Sequence, residues 1–302
     1  MAIIAELTAR FRPRPLVLIT KARLSASVVE RLDGFGWPIT WFLSQSFATG
    51  ELERLENGPI ADFEGTLANA RLVSSSRHQR AVHFWRPFVV ELSSISAGRD
   101  EVVGRLKGSG MACSVVVGFQ RGPGVPLDDE RLSSLLPSVF AVPGDGEVFD
   151  HAGWRQVRAA AKRHRYPVYR HSSCAIARVA GRAEALGTWR AESAAERCLP
   201  CQCPVGQRTL CDFRKATSRP TRSEGERFSR RVAAFLGLKD RLVAYDDSTR
   251  SLRIEAAVGE YDFNTVLHAA KGAFLPTVRA FIGQKAWHGP FISQPLDRQD
   301  QE

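Results

Sequence analysis

Pro15-Leu16-Val17-Leu18-Ile19-Thr20, then Ile39-Thr40-Trp41-Phe42-Leu43, then Ala81-Val82-His83-Phe84-Trp85-Arg86-Pro87-Phe88-Val89 set the pattern from which the fold is read. Each is a nearly continuous apolar run, the signature of a strand buried on both faces. The intervening chain has helical spacing. Ser25 or Ser27 caps a first helix that turns Val28, Val29 and Leu32 inward. Residues 61–76 make a second, with Phe63, Leu67, Ala70 and Arg71 at helical intervals. Residues 99–108 make a third that ends at Gly108 and Gly110. Strands are expected again at 113–119, 139–142 and 166–171, with a helix over 150–164. Six strands alternating with helices predict an α/β fold with a parallel sheet covered on both faces. Right-handed crossovers would curl that sheet into a partial β/α barrel over residues 1–180.

Catalytic groups in such folds lie just beyond the C-terminal strand ends. Here those ends carry Thr20 and Lys21, Ser44 and Ser46, Arg86, Gln120 and Arg121, and Tyr169 through Ser173. After Gly181 the alternation stops. Residues 181–222 read as a loop-rich, cysteine-bearing segment. Residues 223–302 read as a small α/β domain, with helices from Glu224 to Leu236 and from Phe263 to Ala273 and short strands near 242–245 and 251–255.

Four cysteines fall within fourteen residues, Cys198, Cys201, Cys203 and Cys211. The chain has six in 302 residues, too few for a disulfide scaffold, and close spacing in a cytosolic protein favours a metal over a clipped disulfide loop. Cys198 and Cys201 have the spacing of a zinc knuckle, Cys203 adds a third thiolate, and Cys211 or Cys174 completes a set of four. A 4Fe–4S cluster takes the same ligands, and Pro204 follows Cys203 as a proline often follows an iron–sulfur ligand. Spacing leaves zinc and iron–sulfur both open. In Pro204-Val205-Gly206-Gln207-Arg208, backbone N–H groups and Arg208 would face the thiolates. Cys113, in an apolar run, reads as a buried core thiol.

The net charge of +10 admits a polyanionic partner such as nucleic acid. The densest basic run, Arg214 to Arg231, lacks the aromatic interleaving of a single-strand binding groove. No apolar run reaches the roughly 18 residues of a membrane span. The N-terminus carries an early glutamate and no cleavage site, so cytoplasmic residence is expected. No GxSxG, HExxH, phosphate-loop or GxGxxG pattern points to another enzyme class.

The order of several motifs resembles the radical S-adenosylmethionine superfamily, nearest its spore-photoproduct-lyase-like branch. These are Ile19-Thr20-Lys21-Ala22, Phe42-Leu43-Ser44-Gln45-Ser46, a glutamate-rich turn at 51–59, the helical Leu67-Ala68-Asn69-Ala70-Arg71, and a strand that ends in Arg86-Pro87-Phe88. The match covers about residues 15–175 and begins at the equivalent of the third barrel strand. The resemblance implies that Lys21, Ser44, Ser46 and Arg86 face S-adenosylmethionine, the serines toward its ribose. It also implies an auxiliary cluster held by the cysteines. The family's CysXxxXxxXxxCysXxxXxxCys loop is absent from this sequence. S-adenosylmethionine chemistry would therefore require a partner that supplies that loop, as in a split or truncated enzyme. A sheet that starts at 15–20 has an apolar open edge, so a partner chain or self-association is expected there. The other function class is a non-catalytic metal-binding interaction protein, with nucleic acid as a candidate partner of the basic region.

Overall fold

Five strands of the first unit lie side by side in parallel, and nearly all the connections between them pass over one face. The computed structural model describes residues 6, 15–48, 60–93, 98–121, 130–141, 146–184, 203–217, 220–270, 274–282 and 292. The first unit runs through Gly181 and also takes Cys203 and Pro204; the second begins at Arg182 and resumes at Val205. The first unit contains, in order, β1 (Leu16–Thr20), α1 (Ala26–Asp33), β2 (Ile39–Gln45), α2 (Phe63–Ser74) and β3 (Gln79–Trp85). Then come α3 (Val90–Ser93), α4 (Gly98–Gly108), β4 (Ser114–Val116), β5 (Phe119–Arg121), α5 (Glu130–Leu135) and α6 (Pro137–Phe140). It closes with β6 (Gly146–Val148), α7 (His151–His164), β7 (Val168–Tyr169) and α8 (Ser172–Val179).

The sheet order is β1-β2-β3-β4-β7, and every neighbouring pair is parallel. Register divides the side chains into two faces. Leu43, His83, Ser114 and Val168 make one cross-strand row; Ser44, Phe84, Val115 and Tyr169 make the next, on the opposite face. The first face is packed under α1, α2, α4 and α7 through Val29 and Leu32, Leu67 and Val73, Val103 and Leu106, and Trp154 and Val157. The opposite face is covered by α8, with Ala175, Ile176 and Val179 against Phe42, Val82, Phe84 and Val115. That cover does not extend to β1, where Val17 and Ile19 are 41% and 59% exposed.

Local chemistry explains the boundaries. Ser25, not Ser27, caps α1 by accepting from the Val28 N–H. Asp62 caps α2 and Asp150 caps α7, each accepting an N–H three residues on, from Gly65 and Gly153. Over its described residues, 139–141, the expected strand at 139–142 is not formed: Pro137 has no N–H to give a ladder and opens the short helix α6 instead. The expected strand at 113–119 divides. At Gly118 the absent Cβ lets the Val148 carbonyl and Glu147 approach, and the Gly118 N–H donates to Glu147 Oε1 at 2.5 Å. The chain thereby leaves the sheet and forms the antiparallel β5–β6 pair.

In the second unit, α9 (Val205–Thr217) occupies ground expected to be loop. The cysteines drew attention from a run rich in good helix formers, Gln207, Arg208, Leu210, Arg214, Lys215 and Ala216. Then follow α10 (Arg222–Leu236), β8 (Val243–Asp246), β9 (Ser251–Gly259), α11 (Glu260–Ala270) and β10 (Leu275–Ile282). Thr221 and Glu224 form a capping box at the start of α10, and Gly237 ends it in the left-handed region. The sheet order is β10-β9-β8, with β8–β9 antiparallel and β9–β10 parallel. Its own core gathers Val232, Leu252, Ile254, Phe263, Leu267 and Val278.

Candidate metal centre and strand-tip site

Past the C-terminal strand ends, the structure sorts the expected residues by what already engages them. Lys21 follows β1, half-buried, and its carbonyl accepts from the Ala61 N–H at 2.6 Å. Ser44 ends buried in β2, its hydroxyl without a hydrogen-bond partner among the described residues. Ser46 is buried too, and its hydroxyl accepts from the Ala48 N–H at 3.3 Å. Arg86 is exposed, with its guanidinium 4.9 Å from the centre of the Phe84 ring. Its N–H donates to the Gln45 carbonyl at 3.0 Å and extends the β2–β3 ladder by one residue.

The other expected cations are structural. Arg170 donates to the Val116 carbonyl at 2.9 Å and to Glu147 Oε2 at 2.6 Å, and its guanidinium lies 3.4 Å from the centre of the Phe149 ring. It ties the end of β7 to the β5–β6 pair. Arg121 is buried and donates to the Val139 carbonyl at 3.4 Å. His171 stands at the N-cap of α8.

Of the expected metal ligands, Cys174 and Cys203 both belong to the first unit. Both pack against the apolar cluster of Tyr169, Cys113, Val115 and Ala175. Cys203 and Pro204 also line a cavity of about 200 Å³ with Tyr166, Pro167 and the C-terminal end of α7 at Ala161, Lys162 and Arg165. That places Cys203 beside the residues leading into β7. Cys211 belongs to the second unit, where it is buried on α9 and accepts from the Glu184 N–H at 3.4 Å. Pro204-Val205-Gly206-Gln207-Arg208 is not a loop around thiolates: it opens α9, and Gln207 donates to the Arg182 carbonyl at 2.6 Å. Cys198 and Cys201 lie outside the described residues. Among the described residues, no three His, Cys, Asp or Glu side chains converge as a metal site.

Cys113 is fully buried, and burial pushes its thiol up to about 12, so it remains protonated and belongs to the core as expected. Burial also raises the Tyr169 phenol, and Cys113, Cys203 and Cys174 act on it in the same direction. The Tyr169 hydroxyl has no partner among the described residues.

Sequence reading passed over one buried polar chain. His83 Nδ1 lies 3.1 Å from Ser114 Oγ, which lies 3.0 Å from the Tyr166 hydroxyl. His83 is fully buried, and burial alone drives it down to about 3. The available signal was a histidine inside the otherwise apolar run Ala81-Val82-His83-Phe84-Trp85, because a polar group in a buried strand needs an internal partner.

Among the described residues, no helix is long and apolar enough to cross a membrane. No protein-family model matches the chain, and neither a curated protein nor a solved structure is significantly similar to it.

Proposed function

We propose that the chain is part of a split or truncated radical S-adenosylmethionine-type enzyme with an auxiliary, cysteine-ligated iron–sulfur cluster. The observation that carries this reading is the first sheet. Its strands are parallel and in chain order, α1, α2, α4 and α7 lie on one face, and β1 is an outer strand with Val17 and Ile19 exposed. That is the arrangement of a barrel segment whose further strands would add at β1. Another polypeptide, or a further stretch of the same one, would supply those strands and the CysXxxXxxXxxCysXxxXxxCys loop.

Lys21, Ser44, Ser46 and Arg86 would face S-adenosylmethionine. The buried, unpartnered Ser44 hydroxyl supports that role, since such a group calls for a polar ligand. Cys174 and Cys203 are suited to the auxiliary centre because they share one apolar cluster. Two peptide links tie Cys201 to Cys203, so their Cα atoms are at most about 7 Å apart. Cys198, three residues further back, completes the set. Cys211 has its own hydrogen bond in the second unit. When bound, an iron–sulfur cluster supplies one-electron transfer.

The test is iron and sulfide content after anaerobic purification and reconstitution, with and without a polypeptide that carries the missing loop. Stoichiometric iron and sulfide on this chain alone supports the auxiliary cluster. Cleavage of S-adenosylmethionine only when the second polypeptide is present supports the enzyme.

One observation favours a second reading, a non-catalytic zinc or iron–sulfur interaction protein. α8 lies over the face that would line a barrel lumen, with Ile176 and Val179 against Phe42 and Phe84. Zinc on a colourless protein, together with steeply salt-dependent binding of DNA or RNA, would support it.

A further inference from the structure

We propose that Arg121 anchors a buried anion site, which takes the carboxylate or phosphate group of a small ligand. The site needs neither the metal centre nor a second polypeptide. Arg121 ends β5, which follows β4 in the chain, and is 9% exposed. Its one hydrogen bond among the described residues runs to the Val139 carbonyl at 3.4 Å, longer than the usual ~2.9 Å. That carbonyl is neutral, so it fixes the side chain without balancing its charge. The buried Nε–H has no partner among the described residues. A guanidinium stays charged in a protein, so it cannot escape burial by losing a proton. Buried charges are ordinarily paired, because an unpaired one gives up its hydration for nothing. The acids nearest in the described fold are engaged elsewhere. Across the β5–β6 pair Arg121 faces Gly146, which has no side chain to offer. Glu147, the next residue, points to the opposite face of that pair, where it accepts from the Gly118 N–H and from Arg170. Glu91 accepts from both the N–H and the hydroxyl of Ser138. On the Arg121 face the neighbouring pair, Phe119 and Val148, packs on an apolar cluster. The planar guanidinium matches two oxygens of one carboxylate or phosphate group, and apolar surroundings strengthen that attraction.

The experiment uses the metal-free full chain at constant ionic strength. Chloride is replaced stepwise by inorganic phosphate or by acetate, and the thermal unfolding midpoint is read. For wild type the midpoint should climb with at least one of the two anions. At 100 times the dissociation constant the folded-to-unfolded ratio should have risen about 100-fold. Phosphate as the better stabiliser identifies a phosphorylated ligand, and acetate a carboxylated one. Arg121→Met keeps the reach of the side chain without its charge, so it should respond to neither anion. Arg121→Lys keeps the charge and loses the fork, so it should need on the order of tenfold more anion. A wild type with the same midpoint in chloride, phosphate and acetate would overturn the proposal, as would an anion response in Arg121→Met equal to that of wild type. Should the methionine variant not fold, wild type and Arg121→Lys decide between them: equal responses to both anions would place the stabilising site elsewhere.

Discussion

His83 Nδ1 lies 3.1 Å from Ser114 Oγ, directly across β3 and β4, in the row that faces the helices. The histidine is neutral because nothing there solvates a charge: burial holds it near 3. In the unfolded chain it titrates near its ordinary value of about 6.5. Between those values the unfolded state binds one proton more than the folded state. Stability therefore falls as pH drops through this window, by up to about 1.4 kcal/mol per pH unit, and the group adds no slope above it. The hydrogen-bonded carboxylates Asp33 and Asp246 are held below their ordinary values, so their loss comes at lower pH. Urea unfolding at about pH 5 and about pH 7.5 should show wild type less stable at the lower value, and His83→Gln should flatten the difference. An equal pH dependence in the variant would mean that another group carries it.

Gly118 allows the close approach of β6. A Cβ there would overlap the Val148 carbonyl, which is backbone and cannot swing aside. Gly118→Ala should cost about 1–3 kcal/mol and loosen the β5–β6 pair. Glu147 would then be displaced from Arg170, so amide exchange at Phe119 and Val148 should accelerate. Protection equal to wild type would show that the pair adapts.

β1 presents an outer edge and an apolar, solvent-facing pair in Val17 and Ile19. Ile19→Lys should cost the fold within about 0.5 kcal/mol, since the side chain is exposed, while charge on an edge strand opposes strand addition. Light scattering across a concentration series should show wild-type association, or association with the complementing chain, and its loss in the variant. Association that persists unchanged would place the contact elsewhere.

The cysteines should divide by role. Cys174→Ser and Cys203→Ser should each lower bound metal to below half of wild type. Cys211→Ser should keep it, because its Sγ accepts the Glu184 N–H and a hydroxyl can do the same. Cys113→Ser should also keep it but lose about 1–3 kcal/mol of stability by burying a hydroxyl in an apolar cluster. Metal lost equally in Cys211→Ser would return that residue to the ligand set.

The parallel sheet was legible because Ile39–Gln45 and Gln79–Trp85 are largely apolar without alternation, as suits strands covered on both sides, and Leu16–Thr20 has the same pattern although one of its faces is open. The cap of the first helix was narrowed to Ser25 or Ser27, since capping is local chemistry within three residues. The helix at 137–140 was hidden because the four-residue apolar run at 139–142 fits either period, and Pro137, two residues before that run, was the deciding sign. The break at Gly118 was hidden because its cause, the Val148 carbonyl, is thirty residues away.

The sequence by itself settled the strands of the first parallel sheet, the helices between them and the thiol spacing, because periodicity, capping and covalent reach act over a few residues. Tertiary structure alone decided which thiols share surroundings. It set Cys174 and Cys203 around Tyr169 and Cys211 against Glu184, and it chose Arg170 as a brace where the sequence offered a free cation. The physical reason is that burial and electrostatics depend on what the fold packs around a group, and those neighbours come from distant parts of the chain.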